Sequence, residues 1–120
     1  MKRQRPEQII HQAIVAHLRA RLPAGWLYWH TPNGGRRGRV EGAIFKALGV
    51  RAGIPDLFVY GEGRLYGIEV KAPGGSLTPA QHETIDALVK QGCPVIVAKS
   101  ADFAMDGLKA LGVPLKGRAM

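Results

Sequence analysis

Three residues set the chemical question. Asp56, Glu69 and Lys71 lie within GIPDLFVYGEGRLYGIEVKAPGG, residues 53 to 75. They stand at the edges of the most apolar runs of the chain, where a charge is costly unless it is paired or binds something. The segment reads as two strands joined by a short turn around Gly61-Glu62-Gly63. Asp56 and Glu69 are about equally far from that turn, so a hairpin sets them side by side. Alternation along the second strand puts Glu69 and Lys71 on one face, with Tyr66, Ile68 and Val70 on the other. Two carboxylates held together repel unless a proton or a cation intervenes. Such a pair of oxygen donors suits Mg²⁺ or Mn²⁺. A lysine beside it suits phosphoryl chemistry, where negative charge builds on the reacting oxygens. A Glu-x-Lys pair on a solvated strand face has the same spacing, and the spacing alone leaves both readings open.

Two further polar residues bear on that choice. Glu7 is the single acid in the first forty residues. On a helical wheel it falls between Ile10 and Leu18, inside an apolar stripe. An acid on a buried face needs a partner, so Glu7 is a candidate third ligand. Stabilisation of the helix dipole, or an ion pair with Arg3 or Arg5, would explain it equally well. Gln81 closes a Thr-Pro-Ala-Gln capping box that begins at Thr78. It also shares a helix face with Ile85 and Leu88, which turns it inward towards Lys71. The two roles compete, and the inward one is preferred.

These residues need a scaffold, and the patterning supplies one. A first helix is expected from about Pro6 to Leu22, with Ile10, Ile14 and Leu18 as its stripe and Pro23 and Gly25 ending it. WLYWH, residues 26 to 30, fits a strand. A Gly-rich basic loop, TPNGGRRGR, leads to a short helix from about Val40 to Leu48. DLFVY (56–60) and RLYGIEVKA (64–72) form the hairpin. A third helix runs from Thr78 to about Gln91. PVIVAK (94–99) is apolar enough to be a strand buried on both faces, and a final helix covers about Ala101 to Leu111. The tail GVPLKGRAM has little pattern and is expected to be loose. The order α-β-α-β-β-α-β-α is that of an α/β fold, a small mixed sheet flanked by helices, in one domain over residues 1–120.

Charge narrows the partners. The first 51 residues hold ten of the 17 Lys and Arg but two of the nine acids, so the whole net charge of +8 sits there. That asymmetry points to a polyanion, most simply nucleic acid. Asn33, Arg36, Arg37 and Arg39 in the Gly-rich loop, with Lys46 after it, are the candidate backbone contacts. An ordinary solvated loop is the plain alternative. The lone Cys93 excludes an internal disulfide and a thiolate cluster, and favours a reducing, cytoplasmic setting. No apolar run approaches the ~20 residues of a membrane span, and the basic N-terminus lacks the apolar segment of a secretory signal.

GIPDLFVY, YGIEVK and GGSLTPAQ, together with HTPNGG (30–35) and KALGVRAGIPD (46–56), resemble the PD-(D/E)XK nucleases. More narrowly they resemble the VRR-NUC, or virus-type replication–repair nuclease, group. The likeness runs from about Glu7 to Ser100. It implies a restriction-endonuclease-like αβββαβ core, with the second helix as an insertion. It also implies a divalent cation, Mg²⁺ or Mn²⁺, and hydrolysis of DNA phosphodiesters to 5′-phosphate and 3′-hydroxyl ends. Asp56 and Glu69 match the metal-binding acids, Lys71 the motif lysine, Glu7 the first-helix acid and Gln81 the glutamine after the motif. The backbone carbonyl of Val70 would join the ligands, Lys71 would orient the attacking water or stabilise developing charge, and Gln81 would position Lys71 or the phosphate. The small stand-alone viral and bacterial members are similar to Holliday-junction resolvases and act as homodimers. The resemblance therefore implies a branched or four-way DNA substrate, a homodimer, and the cytoplasm of a bacterium or a phage-infected host. A non-catalytic basic DNA-binding module, or a structural subunit of a nucleoprotein assembly, is the alternative.

Overall fold

The computed structural model describes residues 5–32 and 39–117. Its elements are α1 (Pro6–Arg21), β1 (Leu27–His30), α2 (Arg39–Ala47), β2 (Leu57–Gly61), β3 (Arg64–Val70), α3 (Pro79–Lys90), β4 (Val95–Ala98) and α4 (Ala101–Ala110). The order matches the expectation from patterning, and boundaries move by one or two residues. The strands form one mixed sheet in the order β1-β2-β3-β4. The first three are antiparallel neighbours, and β4 runs parallel to β3 after the α3 crossover.

The hairpin turn explains the register. Gly61 pairs with Arg64, leaving a two-residue turn in which Glu62 (φ 52°) and Gly63 (φ 74°) are both left-handed. That is the turn whose twist matches the strands it joins. From it the pairing runs to Leu57 opposite Ile68, so the next positions outward are Asp56 and Glu69.

One sheet face is dry. Leu57, Val59, Tyr66, Ile68, Val70, Ile96 and Ala98 project into a single cluster with Ile14 and Leu18 of α1 and with Ala104, Met105 and Leu108 of α4. Each fully buried aliphatic side chain there contributes roughly 1.5–3 kcal/mol. α4 is capped by Ser100, whose hydroxyl accepts from the Phe103 amide. The other face carries Glu69 and Lys71 and is served by α3, which buries Thr84 and Ile85. Gly67 on that face is pinched between Pro55 and Val95, so no larger residue fits without displacing them.

Two expectations need correction. β4 is buried on one face only: Ile96 and Ala98 are covered, while Val95 and Val97 are partly exposed, because α3 packs thinly over their side. The tail is not loose as far as Gly117. Val113 is buried in the core, the Lys116 amide donates to the Arg21 carbonyl, and the Arg21 guanidinium donates to the carbonyls of Lys116 and Gly117. Arg21 is thus a buried structural cation that ties the tail to the end of α1.

Candidate active site

The site is built where β2 begins and β3 ends. Asp56 directly precedes β2, and its Oδ2 accepts the Val70 amide at 2.8 Å. One hydrogen bond therefore fixes the carboxylate against the neighbouring strand. From the other side the Asp56 carbonyl is held twice, by the Thr31 amide and by His30 Nδ1, each at 2.8 Å. His30 thus serves to cap this loop, and it meets His11 edge-on with ring centroids 4.6 Å apart. Burial and the adjacent His30 lower the pKa of His11.

Glu69 is 2% exposed and Lys71 is buried beside it, so the solvated-face reading of the pair does not hold. Lys71 Nζ lies 3.7 Å from Glu69 Oε2. Burial, then the Asp56 charge, push the Glu69 carboxyl up to about 8, and Lys71 only partly offsets them. Burial and Asp56 thus favour the protonated form of the Glu69 carboxyl, against the pull of Lys71.

Gln81 performs both of the competing roles. Its Oε1 accepts the Thr78 amide at 2.9 Å, and the Thr78 hydroxyl accepts the Gln81 amide at 3.2 Å, completing the capping box. Its Nε2 donates to Glu69 Oε2 at 2.7 Å. The amide has an acceptor end and a donor end, so cap and site divide it. The partner is Glu69, not Lys71 as the helix face suggested.

Glu7 is exposed, which corrects its placement on a buried stripe. The stripe of α1 is buried only from Ile14 onward, and the first turn projects beyond the core. Glu7 nevertheless lines an open cavity of about 940 Å³ together with Asp56, Glu69 and Gln81. Lys46 and Arg51 line it as well. Asn33, Arg36 and Arg37 lie outside the described residues, and Arg39 is placed only by its backbone, at the start of α2.

The residues fit a hard divalent cation in part. Glu69 Oε1 is buried with no hydrogen-bond partner while Oε2 is occupied by Gln81. A cation beside Asp56 would satisfy that oxygen and displace the proton. The donor set is oxygen only, as Mg²⁺ and Mn²⁺ prefer. Among the described residues no three His, Cys, Asp or Glu side chains are already gathered as a metal-binding group.

The sequence reading missed Arg51 and Thr84. Arg51 Nε donates to the Thr84 hydroxyl at 3.1 Å, and that hydroxyl donates to the Ala52 carbonyl at 2.7 Å. The available signal was Thr84 standing one helical turn after Gln81.

Comparisons with known proteins agree with this architecture. The model of the VRR-NUC domain family matches residues 3–102. A solved structure of a "VRR_NUC domain protein" superposes with a TM-score of 0.65 at 28% identity, covering 90% of this chain and 88% of that one. No curated protein matches.

Proposed function

The chain belongs to the VRR-NUC domain family, a family of nucleases, and from that footing we propose that it is a divalent-metal-dependent DNA endonuclease. One observation carries the proposal. A buried carboxyl with an unpartnered oxygen, Glu69, stands beside Asp56 and Lys71 at an open cavity, a costly arrangement that a dry core would not keep.

Asp56 and Glu69 would hold Mg²⁺ or Mn²⁺, with the Val70 carbonyl as a further oxygen and Glu7 acting through water. When bound, the cation supplies Lewis-acid stabilisation of the phosphate and a water of lowered pKa. Gln81 keeps Glu69 turned so that Oε1 stays open. Lys71, held against Glu69, is placed to neutralise charge on a phosphate in the cavity. Removing one such donor typically lowers turnover by ~10²–10³.

The preferred substrate is branched DNA, above all a four-way junction. Such a junction needs two paired cuts, and a two-fold homodimer would supply two sites. The basic loop from Asn33 to Arg39, with Lys46, would follow the DNA backbone.

The test is one purified preparation offered junction, flap, duplex and single-stranded DNA with Mg²⁺ and with Mn²⁺. Metal-dependent cleavage that favours the junction is expected, and Lys71→Ala should lose cleavage while still binding DNA. Normal cutting by Lys71→Ala would remove the assignment.

A further inference from the structure

Arg51 carries one of the excess positive charges of the first 51 residues, and its position is unusual for a surface arginine. The residue is exposed, yet its Nε is pinned to the buried hydroxyl of Thr84. Thr84 is 3% exposed, and that hydroxyl also donates to Ala52, so it both accepts and donates within one small knot. A second contact closes the same knot. Gly53 (φ 80°) presses its Cα against the first turn of α3, where a Cβ would run into the Ala80 carbonyl. The segment from Arg51 to Gly53 is therefore clamped to the helix that supplies Gln81.

Pinning a guanidinium through Nε leaves its two terminal amino groups, and these have no hydrogen bond among the described residues. Arg51 lines the same cavity as Asp56, Glu69 and Gln81. A guanidinium fork matches two phosphate oxygens, and one already fixed by its stem loses less freedom on binding than a mobile lysine. We infer that Arg51, held by Thr84, is a DNA-phosphate-binding residue that positions the strand entering the cavity. The inference rests on the nuclease reading and adds a residue to it. Thr84 is a positioning residue, acting through Arg51.

The experiment measures binding of a fluorescent DNA junction, without divalent metal, as a function of KCl. It compares wild type with Arg51→Gln, Arg51→Lys, Thr84→Val and Thr84→Ser, alongside kcat and KM with Mg²⁺. Each phosphate contact adds about one unit to the slope of log affinity against log salt. Arg51→Gln should lose about that one unit and raise KM several-fold. Arg51→Lys should keep the slope, since the charge remains. Thr84→Val should keep the slope but raise KM, and Thr84→Ser should restore it.

If Arg51→Gln binds with the wild-type slope and KM and loses only thermal stability, Arg51 is merely a staple and the inference falls alone. If wild type neither binds nor cuts any DNA offered, the nuclease reading falls and takes this one with it.

Discussion

The two faces of the sheet follow opposite rules. Towards α1 and α4, Leu57, Val59, Tyr66, Ile68, Val70, Ile96 and Ala98 form one cluster closed to water. Towards α3, the same strands carry Glu69 and Lys71, and the apolar residues beside them are left half open. Leu27, Trp29 and Tyr60 are each more than 40% exposed there, although Trp29 stacks on Phe58. One face holds the chain folded. The other spends part of that stability on buried charge, which is where chemistry requires it.

Substitutions on the two faces should therefore separate folding from activity. The largest loss of stability is expected for Ile14→Ala, at about 2–5 kcal/mol in urea unfolding, from lost burial and the cavity left behind. Glu69→Gln should abolish cleavage yet leave the metal-free protein as stable as wild type or more so, because it removes a buried ionisable group. Equal unfolding by both would erase the distinction between the faces.

The next effect is pH dependence. The Glu69 carboxyl rises from an ordinary 4.5 to about 8 on folding, because burial and Asp56 disfavour its charged form. Folding therefore favours the protonated group. Its contribution is fully present below about 4.5 and is lost as pH rises through about 8. Metal-free wild type should lose melting temperature relative to Glu69→Gln across that window. One proton held by the folded chain alone makes the loss at most ~1.4 kcal/mol for each pH unit crossed. Parallel profiles for the two proteins would show that Glu69 is not perturbed.

Mn²⁺ or Mg²⁺ should reverse that loss. At a hundredfold excess over Kd the gain is about 2.7 kcal/mol, read as a rise in melting temperature, and Glu69→Gln should show none of it. The smallest effect belongs to the open face: Leu27→Ser should move stability by no more than ~0.5 kcal/mol. A larger cost would mean that this surface is covered in solution.

Local rules decided much of this protein in advance. Alternation and a two-residue turn fix a register, so counting from Gly61-Glu62-Gly63 was enough to bring Asp56 opposite Glu69. The capping box at Thr78 and the apolar periods of the helices are equally local. The docking of Glu7, Arg21 and Arg51 was not available from the chain alone. Whether the first turn of α1 meets the core, whether an arginine caps the tail, and which loop a buried threonine grips all depend on how separate elements pack. Gln81 shows the boundary most clearly. Its cap could be read from spacing within four residues, but its bond to Glu69 exists only because the α3 crossover lays that helix over the end of β3. Spacing sets what neighbours along a strand or helix can do. Contacts between elements depend on distances that no local period encodes.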